Sequence, residues 1–246
     1  MYTINGLPYI DLSTNIDLSR LISIQNEIVF GIVKSRELIT EGGASSWNCL
    51  NRDIPSIVDV LHNPNCTTHI HNKNGLYYEF YKKLNFVPRD CVMFAKYVGE
   101  YQQMGQILFL RTHDLIEHKS LPDCHDTLAY INFPSLRKWI TDCKVFDKVG
   151  RILFFLNSPN ELHSIHLDTF TGSPDNFIII NLNPHLKELS VYGDKKYVIG
   201  CKVSVFDTRN YHGTIGNDFP SWTLRIDGKF NKAWAESAGI WDYFSN

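Results

Sequence analysis

The chain has 246 residues, 43% hydrophobic and 13% aromatic, with a formal net charge of −2. That much apolar and aromatic material excludes a disordered chain. The near balance of charge gives no general attraction to nucleic acid or anionic membrane, and no apolar run is long enough to span a bilayer.

Six cysteines, Cys49, Cys66, Cys91, Cys124, Cys143 and Cys201, form no Cys-x-x-Cys pair. Residues 1–14 hold Asn5, Gly6 and Pro8 where a secretory leader needs an apolar core. The expectation is reduced thiols in a cytoplasmic protein, with the sequon Asn65-Cys66-Thr67 of little weight without an export signal.

Residues 1–15 read as an extended start with turns. From Asp17 to Leu38, apolar residues at Leu18, Leu21, Ile22, Ile28, Val29 and Ile32 recur near helical spacing, with Asp17 at the start. Glu41–Asn51 is a small-residue loop and Ile54–His62 a short helix with Pro55 in its first turn. Thr67–Asn74 is a polar stretch with His69 and His71, followed by an aromatic helix over Gly75–Leu84 whose Tyr77–Tyr81 set is core. Strands follow at Val92–Val98 and Gln106–Arg111. A polar loop, Asp114–Asp126, leads to a helix over Leu136–Cys143 capped by Ser135.

Beyond residue 150 the pattern changes to short apolar runs separated by turns. Strands are predicted at Ile152–Leu156, His163–Asp168, Phe177–Leu182, Leu189–Tyr192, Lys196–Ile199, Cys201–Phe206, Tyr211–Ile215 and Trp222–Ile226. Many short strands at this spacing predict a sandwich or barrel. The tail Asn231–Tyr243 reads as a helix over one barrel end. The expectation is one domain, with residues 1–150 bracing a barrel core at 151–230.

The chemistry concentrates in that core. In a strand, residues i and i+2 share a face, so His166 and Asp168 project together, away from Leu167. His212, 44 positions beyond Asp168 (212 − 168), supplies a second imidazole from a distant strand. Two histidines and one carboxylate on one side of a metal leave positions open, which suits non-haem Fe(II). A closed structural zinc site needs four protein ligands. His163 has zinc-like spacing to His166, but an i+3 residue of a regular strand faces the other way, so it reads as structural. His69, His71, His113 and His125 read as solvated loop histidines. Arg225 follows His212 by 13 positions (225 − 212), and a guanidinium can grip a carboxylate with two parallel hydrogen bonds. Its plainer reading is a salt bridge to Asp227. Asn210 and Thr214 share the His212 face in a regular strand, and Asn181 points into the barrel; all three are candidates to hold the ligands in place. Trp222 reads as packing.

His-x-Asp, a distal His and an Arg one strand later resemble the 2-oxoglutarate- and Fe(II)-dependent dioxygenases. The resemblance covers the chain from about residue 151 onward, and Phe206-Asp207 ahead of Tyr211-His212-Gly213 is similar to the family's run into the distal-His strand. It implies a mainly β fold with flanking helices (α+β), built on a double-stranded β-helix, the jelly-roll or cupin-like barrel. It implies Fe(II) held by His166, Asp168 and His212, and 2-oxoglutarate as co-substrate with its distal carboxylate on Arg225. The implied reaction is hydroxylation of an aliphatic C–H of a small molecule or amino-acid-type side chain by O2. Desaturation and demethylation use the same site, whereas a halogenase needs the Asp168 position vacated for halide.

One position departs from the family. Many members carry Ser or Thr two residues after the arginine, where this chain has Asp227. A carboxylate there either repels the co-substrate or pairs with Arg225, and Thr223, at i−2 on the same face, is the candidate hydroxyl. Two alternatives stand beside the oxygenase: a cupin-like metalloenzyme that does not use 2-oxoglutarate, and a non-catalytic ligand-binding β-barrel. The loops Glu41–Asn51 and Thr67–Asn74 are where substrate specificity is expected.

Overall fold

The computed structural model describes residues 2–36, 40–41, 106–112, 124–157, 163–166, 174–182, 189–192, 195–214 and 221–245. The helices expected over 54–62 and 75–84, the strand over 92–98 and the loops around them lie outside the described residues.

The N-terminal part supplies β1 (Tyr9–Asp11), α1 (Leu18–Ser23), α2 (Gln25–Lys34), β2 (Thr40–Glu41), β3 (Gln106–Thr112) and β4 (His125–Asp126). A 3-10 helix (Leu128–Asn132) and α3 (Pro134–Asp142) precede eight strands: β5 (Phe146–Asn157), β6 (His163–His166), β7 (Phe177–Asn181), β8 (Leu189–Tyr192), β9 (Lys196–Ile199), β10 (Val203–Phe206), β11 (Tyr211–Thr214) and β12 (Ser221–Phe230). The chain closes with α4 (Lys232–Ser237) and α5 (Trp241–Phe244).

Every described strand pairing is antiparallel. The large sheet runs β1-β10-β7-β12-β5-β3-β2, with β4 beside β3, and the small sheet runs β6-β11-β8-β9. Numbered one to eight from β5, the strands fall into the two sheets in the orders 6-3-8-1 and 2-7-4-5. That order is the double-stranded β-helix, or jelly roll. Among the described residues the expected barrel is two sheets that meet through side chains, with no strand pairing between them. β1 extends the large sheet at one edge, and β3 and β2 extend it at the other.

Strand periodicity gives the large sheet two faces. Leu224 and Ile226 of β12, Phe154 of β5, and Val203 and Val205 of β10 belong to one large core with Leu21, Ile28, Ile32, Leu136, Trp139, Ile140, Ala235 and Phe244 of the helices. The helices thus cover the outer face. Phe177 of β7 and Phe206 of β10 point the other way and meet Val191 and Ile199 of the small sheet in a second core. Burying such side chains is worth roughly 1.5–3 kcal/mol each.

The single helix expected from Asp17 to Leu38 is broken at Ile24 into α1 and α2. Asp17 caps α1, accepting from Ser19 N and Arg20 N. Ser135 does not cap α3. The Glu27 carboxylate of α2 does, accepting from Ser135 N at 2.8 Å and Leu136 N at 2.9 Å. β5 and β12 are longer than their apolar runs suggested because Arg151, Arg225 and Asp227 are buried against one another within them. Gly228 permits this pairing, since a Cβ there would sit 2.5 Å from Lys148 O. The expected terminal helix is two short ones, which join the outer-face core through Ala235, Ile240 and Phe244. Cys124, Cys143 and Cys201 are thiols. Among the described residues no helix is long and apolar enough to cross a membrane.

Candidate metal and carboxylate site

β11 lies between β6 and β8, and His212 is directly opposed to His166 on one side and Val191 on the other. Opposed positions of an antiparallel pair lie on one face of the sheet, so the register brings positions 166 and 212 together from strands 46 residues apart (212 − 166). The next pair is Thr214 with His163, a slip of one residue. Asp168 lies outside the described residues. Among the described residues no three His, Cys, Asp or Glu side chains form a metal set.

His212 is 5% exposed and packs at 4.9 Å from the Phe206 ring. Its Nδ1 lies 2.9 Å from Asn210 O. A carbonyl only accepts, so Nδ1 carries a proton in this contact, and Nε2 is the ring nitrogen it leaves for another partner. This is how a metal-binding histidine is held in tautomer and orientation. Asn210 therefore acts through its main chain. Its side chain does not join the site but binds Tyr2, accepting from Tyr2 N at 2.8 Å and donating to Tyr2 O at 2.7 Å.

The turn that carries Asn210 is itself anchored. Asp207 is fully buried and accepts from Arg209 Nε at 3.0 Å, Arg209 Nη2 at 2.6 Å and the Tyr243 hydroxyl. The Arg209 guanidinium lies over the Tyr2 ring at 3.9 Å. Burial, with Asp207 beside it, pushes the Tyr243 phenol up to about 12. Asp207 raises the pKa of Arg209.

On the opposite sheet, Arg225 sits in β12 between β5 and β7. It shares the inner face with Thr223 and Asp227, and Thr223 is opposed to Asn181 of β7. The Arg225 guanidinium stacks 4.2 Å over the Phe177 ring. Phe177 meets Phe206 edge to face at 5.1 Å, and Phe206 meets His212. An unbroken series of rings thus joins the arginine of one sheet to the histidine of the other.

Asp227 takes the second of its two expected courses and pairs with Arg225. Its Oδ1 accepts from Arg225 Nε at 2.9 Å, and its Oδ2 accepts from Arg151 Nε at 2.9 Å. Asp175 Oδ2, in a partly exposed side chain, is 3.6 Å from Arg225 Nη2 and accepts from Thr208 Oγ1 at 3.1 Å. Arg151 escaped the sequence reading. Its one signal was a cation directly before the apolar run 152–156.

The implied iron and 2-oxoglutarate can be tested against these residues. Thr223 Oγ1 is buried without a hydrogen-bond partner, an arrangement that costs about 1–3 kcal/mol. It lies two residues from a buried arginine, and a carboxylate would satisfy it. His212 offers Nε2, the ring nitrogen not bonded to Asn210 O. Among the described side chains, Thr223 and Arg225 fit a carboxylate, and His212 fits one position of a metal.

No family model matches the chain, and no curated protein matches it. Several solved structures are similar. One is an oxidoreductase of the 2OG-Fe(II) oxygenase family from Burkholderia pseudomallei: 10% identity, TM-score 0.34, covering 50% of this chain and 66% of that one. A Pseudomonas putida prolyl-4-hydroxylase is 17% identical, with TM-score 0.29, over 43% of this chain and 68% of that one. A Trichoplax adhaerens prolyl hydroxylase in complex with a hypoxia inducible factor peptide fragment is 11% identical, with TM-score 0.35, over 54% and 65%. The matched part of this chain spans 66%, 68% and 65% of their lengths, close to two thirds in each case. Strand order places His212 on strand seven and Arg225 on strand eight of the double-stranded β-helix.

Proposed function

We propose that this chain is a non-haem Fe(II) and 2-oxoglutarate-dependent oxygenase that hydroxylates an aliphatic C–H of a small molecule or amino-acid-type side chain. The supporting observation is the convergence of His212 and Arg225, each buried, on one small aromatic core from opposite sheets.

His166, Asp168 and His212 would hold the metal. Bound Fe(II) with 2-oxoglutarate supplies O2 activation and C–H oxidation, with succinate and CO2 as the co-substrate's products. The protein's own part is positioning. The Asn210 carbonyl, bonded to His212 Nδ1, would leave Nε2 to ligate. Arg225 and Thr223 would receive the distal carboxylate, the arginine by charge and the threonine with its buried hydroxyl. Phe177, Phe206, Val191 and Ile199 keep water out of the space between the sheets, which strengthens every charge interaction there. Asn181, opposed to Thr223 in the sheet, and Thr214, two positions beyond His212 in its strand, would contact the same ligands.

The test is an anaerobic titration. Fe(II) is loaded, 2-oxoglutarate is added, and the visible charge-transfer band is followed. Wild type is expected to show the band. His212→Ala should lose Fe(II) binding, and Arg225→Ala should keep iron but lose the band at concentrations that saturate wild type. Iron binding without a band favours a cupin-like metalloenzyme that uses another substrate, and no iron binding at all favours a ligand-binding barrel.

A further inference from the structure

We propose that Arg151 is a second cation of the co-substrate site, which through Asp227 sets the charge and aim of Arg225 and so selects a 2-oxo acid carrying a distal carboxylate. The inference rests on the oxygenase reading above and adds a specificity-determining residue to it.

The backbone is built for this contact. Between the pairs Ile226–Ile152 and Gly228–Val149, β12 contributes one residue, Asp227, and β5 contributes two, Gly150 and Arg151. Such a bulge re-aims a side chain. Arg151 is 8% exposed and its Nε donates to Asp227. Long-chain cations are almost never buried unless they are paired, and this one is paired with the carboxylate that already binds Arg225.

Asp227 spends one oxygen on each guanidinium, at 2.9 Å in both cases. An isolated arginine–carboxylate pair closes as a two-bond fork. Closed in that way, Asp227 would occupy two donors of Arg225 and cancel its charge. With Arg151 holding the second oxygen, the pair cannot close. The buried trio of two guanidiniums and one carboxylate then carries one net positive charge. Asp175, at 3.6 Å and partly exposed, is the looser counter-ion that an entering carboxylate would displace.

The experiment titrates Fe(II)-loaded protein, without O2, with 2-oxoglutarate and with 2-oxovalerate, which has a methyl in place of the distal carboxylate. The readout is the ratio of the two dissociation constants, which loss of overall stability does not by itself move. In Arg151→Met, 2-oxoglutarate affinity is expected to fall roughly ten- to a hundredfold, with 2-oxovalerate and Fe(II) affinity unchanged. Arg151→Lys, which keeps the charge, should retain most of the preference. The double variant Arg151→Met/Asp227→Asn, which restores one net positive charge through Arg225 alone, should recover it. A wild-type ratio in Arg151→Met overturns the proposal while leaving the oxygenase reading intact. If Arg151→Met does not fold, the double variant decides: recovered preference supports the proposal and lost preference overturns it. Wild-type protein that binds neither acid overturns the oxygenase reading, and this inference with it.

Discussion

At Thr223 the proposed function and stability would pull in opposite directions. Its hydroxyl is buried, lacks a partner, and lies on the same face as Arg225. Thr223→Val keeps the shape and removes the orphan. Urea denaturation of Thr223→Val is expected to show a gain of about 1 kcal/mol, while the same protein binds 2-oxoglutarate more weakly in the anaerobic titration. A loss of stability would mean that the hydroxyl has a structural partner. Asp227 shows the converse. Its position departs from the Ser or Thr of the resembling family, yet its carboxylate is matched by two guanidiniums. Asp227→Ala would leave two like charges facing each other in a buried space, and breaking such an arrangement costs about 3–5 kcal/mol. Urea midpoints would show it, and the loss should be larger than for any single substitution among the exposed ion pairs, such as Lys138 with Asp142.

Among the elements, α2 and α3 brace the outer face through two close contacts. Glu27 caps α3 across 108 residues, a separation that no local sequence pattern signals. Gly31 lies under the Phe133 ring, where an added Cβ would sit 2.4 Å from Cε1. Gly31→Ala gains about 1 kcal/mol of helix propensity and loses roughly 1–3 kcal/mol to overpacking, so a net loss in thermal or urea stability is expected. The Fe(II) and 2-oxoglutarate titration should be unchanged, because Phe133 belongs to the outer-face core and not to the core between the sheets. The strands divide by the same logic. Runs such as Phe177–Asn181 were legible because apolar strand residues advertise themselves. The extension of β5 to Phe146 and of β12 to Phe230 was not, because charged residues fill part of that length and only their mutual pairing lets them lie in a sheet.

At the scale of the whole molecule, the two ends of the chain meet behind the His212 strand. Tyr2 lies against Arg209, and Tyr243 donates to Asp207. Tyr243 is held protonated in the fold up to about 12, above the ordinary tyrosine value of about 10. Between those values the unfolded chain has lost the proton that the folded chain keeps, so stability falls as pH rises through that window and is fully present below it. Tyr130, pushed up to about 12 chiefly by burial, adds to the same fall. Urea midpoints measured from about pH 9 to about pH 11 should therefore drop, and Tyr243→Phe should flatten that drop without abolishing it. At neutral pH the same variant should cost about 1 kcal/mol, the worth of one hydrogen bond.

The sequence by itself determined the alternation of short strands after residue 150, and with it a two-sheet β architecture. It also determined the order His166, Asp168, His212, Arg225, since spacing and period-two patterning are local properties. Tertiary structure alone decided that His166 and His212 are opposed, because register is set by pairing between distant strands. Only the fold could show that the Asn210 carbonyl bonds His212 Nδ1 while its side chain serves Tyr2, and that Glu27 caps a helix far along the chain. Above all, the fold decided the meaning of Asp227. Its charge in the sequence allowed repulsion of the co-substrate or pairing with Arg225, and its second oxygen goes to Arg151, a residue 76 positions away that a β-bulge brings within hydrogen-bonding distance.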